Sequence, residues 1–298
     1  MPTLLDIKKI DAGAGYDLIK EAVTALRPEL SFIPADTMVE TTMELSVLTK
    51  LPAVGFRNIN EGSAKSKPEF ENRVFQCGII DQAIQADRRA PGLSTNYGKF
   101  LSTFSSPFVD GALQTICKQF WYGTTNDKKG FIGLIAQSNP DANHVVDAGG
   151  AANVTSAWLM GVGPSKLQWL YGNGESIMLD GRWMEETGYD ANGNAFPALT
   201  NWVKGRPGIR LANKNCAIRV KNIGTENGKG LTDALLYQAL AKARKLGFEA
   251  NGLLLNPDAH EQWRQSKITA LVTAPELPKD FVGIPVYPTN NIINGETI

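Results

Sequence analysis

Apolar positions are scattered at the start of the chain and become periodic only further along. Over residues 1–50 they come in short runs broken by Pro28 and Pro34, with one short helix expected around Leu18–Leu26. The apolar side chains are too few in any one place to make a core, so this stretch reads as an arm that needs another surface. From Leu51 to Ala86 the pattern is that of strands. "LPAVGFRNIN" and "ENRVFQCGIIDQAIQA" are rich in β-branched and aromatic residues and flank a polar turn, "EGSAKSKPE", with Gly62 and Pro68. Two long strands without a helix to pack on are marginal alone, so this hairpin also calls for a partner surface.

Helical periodicity follows. Phe100, Leu101, Phe104 and Phe108 share a face. Ser106 and Pro107 then form an N-cap and first-turn pair ahead of Val109, Leu113, Ile116, Cys117, Phe120 and Trp121. Two helices, or one long helix kinked at Pro107, satisfy this pattern, and "YGTTNDKKG" ends it. Residues 147–222 are β-rich, with "TSAWLMGVG", "KLQWLYG", "SIMLDGRW" and "CAIRVKNIG" as short strands and Asn192–Gly193 suited to a tight hairpin. "KNIGTENGKG" then runs a strand tail through a Gly/Asn connector into a clean helix starting at Thr232 or Asp233. Its stripe is Leu235, Ala239, Leu240, Ala243 and Leu246, with Lys242, Arg244 and Lys245 in the last turn and Gly247 as the stop. "ANGLLLNPDAHEQWRQS" predicts a buried strand leading into a helix with Asn256 as cap and Pro257 at its first position, and "FVGIPVYPTN" a final strand. There is no internal repeat and no low-complexity tract.

With 298 residues, 43% of them hydrophobic and 20% charged, the chain can fold as two domains or as one large one with extensions. Thirty basic and thirty acidic residues cancel. That balance argues against a free-standing nucleic-acid-binding domain and permits close self-association. Cys77, Cys117 and Cys216 lie far apart with no CxxC pair, so they read as buried thiols of a reducing compartment. The first residues carry no apolar signal region, and no run approaches the roughly 18 apolar residues of a membrane span.

Catalytic chemistry finds little support. His144 and His260 are too isolated for a metal site, and His260, next to Glu261, reads as a surface histidine. "DAGAGYDL" and "DAGGAANV" match neither a dinucleotide fingerprint nor a phosphate loop and read as turns. "DANGNA" resembles the start of a calcium loop, but its glycine falls two positions early and the distal glutamate is missing. No GxSxG elbow occurs. Trp158, Trp169, Trp183 and Trp202 lie in the β-rich region with Asp180, Glu185, Glu186 and Asp190. Such a set would suit a sugar-binding module or glycosidase if two carboxylates flanked a cleft; otherwise the tryptophans are core and the acids a solvated rim. No catalytic, cofactor-binding or metal-ligating residue is assigned, and no enzyme is expected.

Four segments, in order, carry a family resemblance. They are "FWYGTTNDKKGFIGLIA" (Phe120–Ala136) with its "YG…GFxGL" run, "DAGGAANVTSAWLMGVGPSKLQWLYGNG", "NWVKGRPGIRLANKNCAIRVKNIG", and "NGLLLNP" with "FVGIPVYPTN". Together they resemble the major capsid proteins of tailed double-stranded DNA bacteriophages, of the Hong Kong 97-type fold and its podophage-like branch. Two departures bear on the subfamily: Tyr171 is followed by Gly172 rather than proline, and "RPGIRLANKN" after Trp202-Val203-Lys204-Gly205 lacks an expected acid and aromatic.

The resemblance implies an α+β fold with an N-terminal arm (1–50), an E-loop hairpin (51–86), a spine-helix region of the peripheral domain (87–130), a β-rich peripheral or insertion region (131–224), and an axial domain with the C-terminal strand (225–298). It implies hexamers and pentamers closing into an icosahedral shell around packaged double-stranded DNA held by weak contacts. The shell would be assembled in the host bacterial cytoplasm, without a membrane. The implied partners are the chain itself, a scaffolding protein, a portal protein and a cement or decoration protein. With no long N-terminal scaffolding domain in view, the scaffold is expected to be separate. The expected inter-subunit contacts are Lys65, Lys67, Glu69 and Glu71 near the hairpin tip, worth about 0–1 kcal/mol each as exposed pairs, and Phe56, Val74 and Phe75 as apolar anchors. No lysine is singled out by an apolar pocket, so no lysine–asparagine crosslink is expected. Two alternatives stand beside this reading: an encapsulin-like shell around a protein cargo, and the glycan-binding protein above.

Overall fold

A computed structural model describes residues 26–94, 96–138, 141–268 and 276–296. The helix expected over Leu18–Leu26 lies outside them save for its last residue. The chain enters through a single-turn helix α1 (Glu29–Phe32), followed by strands β1 (Ala35–Met38), β2 (Thr42–Lys50), β3 (Glu69–Gln76) and β4 (Ile80–Asp87). The long helix α2 (Tyr97–Tyr122) and a short α3 (Leu134–Ser138) come next. Eight strands follow: β5 (Val145–Asp147), β6 (Thr155–Met160), β7 (Leu167–Gly172), β8 (Met178–Leu179), β9 (Met184–Tyr189), β10 (Ala195–Gly205), β11 (Pro207–Leu211) and β12 (Ala217–Ile223). Helix α4 (Asp233–Lys245), β13 (Gly252–Leu255), α5 (Pro257–Ile268), β14 (Asp280–Phe281) and β15 (Ile284–Pro288) complete the fold.

The largest sheet has the order β14-β15-β13-β6-β12-β5. Its central strand β6 is buried at every position, as a strand covered on both faces must be. Alternation along the strand sends Ala157 and Leu159 to one face, where Ile218, Val220, Leu253 and Leu255 join them under Leu236, Ala239, Leu240 and Ala243 of α4 and Trp263 of α5. Trp158 and Met160 point the other way, with Ala217 and Leu254, into a second core closed by Phe120, Trp121 and Trp169. The stripe of α4 is rotated slightly from the expected one: Leu236 is fully buried, while Leu235 and Leu246 sit at its margin.

Helix α2 joins two cores. Its first half lies on a second sheet, β4-β10-β8 with β9 also on β10, through Phe104, Phe108, Val109 and Ala112 against Ile84 and Val203. Its last turn enters the core behind β6. At about 1.5 Å per residue the 26-residue helix reaches roughly 39 Å. It is one continuous element with Pro107 inside, so Ser106 is not an N-cap; that place belongs to Asn96, whose Oδ1 accepts from the Lys99 amide at 3.0 Å. An interior proline costs about 3 kcal/mol. The apolar positions 100, 104, 108 and 112, each one turn apart, bury a stripe that outweighs the loss.

The glycines of "YGTTNDKKGFIG" close the helix end. Gly123 has φ +52° and ψ −128°, and an added Cβ would lie 2.8 Å from Gly133 Cα and closer still to its nitrogen. The two backbones touch, and only glycine at both positions allows it. Gln119 crosses the enclosed loop, donating from Nε2 to the carbonyls of Phe131 (2.8 Å) and Asp127 (3.1 Å).

The connector "KNIGTENGKG" is not loose. It is clasped to "DAGGAANV": Gly150 N donates to Asn222 O (2.9 Å), and Asn222 Nδ2 donates to both Asp147 carboxylate oxygens (2.9 and 3.0 Å). The Glu226 carboxylate accepts from the amides of Ala151 (3.0 Å) and Ala152 (2.9 Å), and these backbone bonds hold its carboxyl below the ordinary value. His260 is buried rather than on the surface, because its ring packs beside Trp263 and its Nε2 donates to Pro278 O at 2.8 Å. All three cysteines are buried and unpaired.

Both ends of the described chain plug into the core at the end of α2. Glu29 is fully buried, and among the described residues no cation pairs with it; Trp121 Nε1 (2.8 Å), the Thr289 hydroxyl and Asn291 Nδ2 are its donors. Loss of solvent pushes its carboxyl above the ordinary 4.5, opposed by the hydrogen bonds from Thr289, Trp121 and Asn291. The folded state therefore holds a proton that the unfolded chain releases. Subunit stability should fall as pH rises from about 4.5 through the raised value. Urea midpoints of the unassembled subunit across this window should show the decline, and Glu29→Gln should flatten it; an unchanged slope in the variant would place the titration elsewhere.

Candidate assembly interface

β2 and β3 form a two-stranded ladder, Thr42 opposite Gln76 through Lys50 opposite Glu69. This differs from the expected hairpin. "LPAVGFRNIN" is no strand, and the outer strand is the preceding "TMELSVLTK", whose alternation places Met43 and Leu45 inward. β4 leaves the ladder to pair with β10 over Ile80–Asp87, since Ile84 and Ala86 are drawn into the core against α2 and β10.

Among the described residues the hairpin is anchored at its base and, more distantly, by Lys214 at Glu71 (3.9 Å). Met43, Leu45 and Phe75 pack on Met38, Cys77 and Leu170 of the same subunit, and Arg73 Nη1 donates to Ala212 O at 2.9 Å. On the opposite face Val74 and the cross-strand pair Leu48–Phe70 are exposed, beside Ser46, Asn72 and Glu44, which bond to one another. Residues 51–68 have no ladder at all, and every one but Pro52 is exposed. Val54 and Ile59 are 91% and 93% exposed, and Phe56 is fully so. Full burial of such a side chain is worth roughly 1.5–3 kcal/mol. The tip holds its shape through local bonds only: Ser66 Oγ to Ala53 O (2.6 Å), and Arg57 Nη1 to Glu61 O (2.9 Å).

The seven expected contact residues divide accordingly. Phe56 and Val74 face solvent, whereas Phe75 is already buried within its own subunit. Lys65 and Lys67 lie exposed on the tip and make no ion pair among the described residues. Glu69 is paired with Lys50 (3.0 Å), and Glu71 with Arg73 (2.8 Å) and, more distantly, Lys214 (3.9 Å); Arg73 holds the Glu71 carboxyl below its ordinary value. The structure adds Val54, Ile59 and Phe70 to the exposed apolar residues of this hairpin, which the sequence reading did not name.

The tryptophan–carboxylate set does not form a site. Trp158 and Trp169 are core residues, with Nε1 of Trp169 donating to Glu29 O (3.0 Å). Trp183 packs against the sheet under α2. Asp180 is paired with Lys204 (2.9 Å), Glu185 with Arg88 (3.1 Å), and Asp190 accepts from the amides of its own turn. Among the described residues no cluster of His, Cys, Asp and Glu could hold a metal ion, and no helix is long and apolar enough to cross a membrane.

An extended hairpin thrown off the body, a long helix bridging a peripheral and a central sheet, and a two-helix layer over the central sheet make up the Hong Kong 97-type fold of phage shell proteins. The structure is similar to that of bacteriophage Epsilon15, with a TM-score of 0.72 at 16% identity over 100% of this chain and 97% of that one. It is also similar to the bacteriophage JBD30 capsid (TM-score 0.53, 8% identity, 91% of this chain and 93% of that one). A third similar structure is that of Mycobacterium phage Bobi (0.50, 12%, 74% and 98%). No curated protein sequence matches the chain. Residues 18–297 match the family of the major capsid protein GP7, and the chain belongs to that family. It is a phage major capsid protein, a structural subunit that self-associates to make the virion shell.

Proposed function

We propose that this subunit assembles into hexamers and pentamers that close into an icosahedral shell around double-stranded DNA, each hairpin lying across a neighbouring subunit. One observation carries the reading: residues 51–68 expose Val54, Phe56 and Ile59, and no described residue covers them. Obligate interfaces commonly bury about 2,000–5,000 Å², and an extended hairpin adds area that the rounded body cannot. On this reading the sheet containing β4, β8, β9 and β10 with α2 is the peripheral domain, and the six-stranded sheet with α4 and α5 the axial domain. A zero formal net charge suits a shell that contacts DNA weakly. Scaffolding, portal and cement or decoration proteins are the proposed partners, with assembly in the host cytoplasm.

Phe56→Asp tests the central point. The variant subunit should keep its circular dichroism and melting temperature while losing closed shells and rings in light scattering and electron microscopy. An anchor of this kind is worth about 2–4 kcal/mol per contact, and its loss is repeated at every subunit. Shells that form normally with Phe56→Asp would remove the hairpin tip from the interface.

A further inference from the structure

Five Asn-Gly dipeptides occur in the chain: Asn173–Gly174, Asn192–Gly193, Asn227–Gly228, Asn251–Gly252 and Asn294–Gly295. At such a pair the glycine nitrogen can attack the asparagine Cγ, because no Cβ stands in the way. Attack requires a free glycine N–H and a free asparagine side chain. The fold removes one or both at three of the five pairs. Gly193 N donates to Asp190 O at 3.0 Å. Asn251 is held at both side-chain atoms by Val162, accepting from its N (2.9 Å) and donating to its O (3.2 Å), and Gly252 is buried against the Phe32 ring. Gly295 N donates to Val154 O at 2.9 Å, and Asn294 Nδ2 donates to Asp258.

Two pairs, Asn173–Gly174 and Asn227–Gly228, differ on every count: their residues are exposed, no described residue hydrogen-bonds the asparagine side chain or the glycine N–H, and nothing lies within 4 Å of where the glycine Cβ would be. Asn173 is itself held at φ +54°, whereas Asn227 and Gly228 lie in the connector before α4. They form the middle of a four-residue turn, Lys229 N to Glu226 O at 3.0 Å, with Gly228 at φ +76° in the third position, as a type II turn requires. We propose that Asn227 is a self-modification site of this subunit. The Gly228 backbone nitrogen bonds to the Asn227 Cγ and loses its proton to solvent, and the side-chain nitrogen departs as ammonia to leave a succinimide. Water then opens the ring to aspartate or isoaspartate.

The position gives the change a consequence. Glu226, one residue earlier, ties this loop to the amides of Ala151 and Ala152. Isoaspartate lengthens the backbone inside the turn that sets Glu226, and either product adds a negative charge beside that carboxylate. The clasp between "DAGGAANV" and "KNIGTENGKG" is therefore loosened by the isoaspartyl product.

The full-length unassembled subunit, incubated at mildly alkaline pH and mapped by peptide mass spectrometry, tests this. Deamidation should proceed about tenfold or more faster at Asn227 than at Asn192, Asn251 and Asn294, because each of those must first open local bonds and about 1.4 kcal/mol of opening is tenfold. In denaturant these four rates should converge. Hydrogen exchange at Ala151 and Ala152 should rise in the aged wild type and stay low in Asn227→Gln. An intact Asn227, or a rate in the folded protein no faster there than at Asn192, Asn251 or Asn294, would overturn the proposal.

Discussion

Gly123→Ala should destabilise the unassembled subunit by about 2–6 kcal/mol, with most of the chain failing to reach a soluble folded state. Two costs add. A residue with a Cβ held at φ +52° and ψ −128° carries about 1–3 kcal/mol of backbone strain. The methyl must also displace the backbone of Gly133, and overpacking of this kind costs about 1–3 kcal/mol where the neighbour is not a mobile side chain. Gly111 supplies the control on the same helix: it is exposed, and nothing lies within 4 Å of its missing Cβ. Gly111→Ala should stabilise by about 0.5–1 kcal/mol. Denaturant unfolding of the pair decides the matter. Equal and small effects would mean that the 123–133 loop does not need backbone contact to close.

Arg219→Met should cost about 3–5 kcal/mol, the range for removing one partner of a buried ion pair. Arg219 Nη2 lies 2.7 Å from Glu296 Oε2 with both side chains almost wholly buried, at 4% and 3% exposure. Tyr122 Oη (2.6 Å) and Ser156 Oγ (3.1 Å) donate to the other carboxylate oxygen, and the guanidinium lies over the Trp158 ring. Without the arginine a carboxylate remains in the core facing two hydroxyls. Burial and the neighbouring Glu296 carboxylate push the Tyr122 phenol far above its usual range, so it stays a donor. The double variant Arg219→Met, Glu296→Gln should recover most of the loss, since a neutral pair leaves no bare charge. Chemical unfolding of wild type, both single variants and the double variant closes the cycle; a coupling under about 0.5 kcal/mol would reduce the pair to incidental contact.

Sequence periodicity carried the elements whose burial is one-sided or total. The all-apolar β13, the stripe of α2 and, but for Leu236, that of α4 follow from spacing, whereas the family came from the resemblance of the glycine-punctuated segment 120–136 and the later ones. It failed where a strand's partner was decided at a distance. Thr42–Lys50 is as β-branched as many strands, but its short apolar runs read as an arm because nothing local marks Glu69–Gln76 as its mate. Pro107 read as a possible boundary because the compensating burial comes from the β4–β10 sheet. "KNIGTENGKG" read only as a connector because its restraints, the Ala151 and Ala152 amides, belong to another segment. Of the expected contacts, Phe56 could be singled out as an aromatic beside a polar turn. Phe75, two positions from Arg73 on the same inward face, could not be told from Val74 without the register.

The placement of Glu296 also gives segment 291–296 a structural duty. β6 takes its neighbours β12 and β13 from far along the chain, and long-range pairing of this kind is slow to form. The Arg219 cation lies at that junction, and its carboxylate comes from a segment that belongs to no strand or helix. A subunit without Glu296 would hold an uncompensated charge in its centre, so removing this short segment would cost about as much as removing the arginine, about 3–5 kcal/mol.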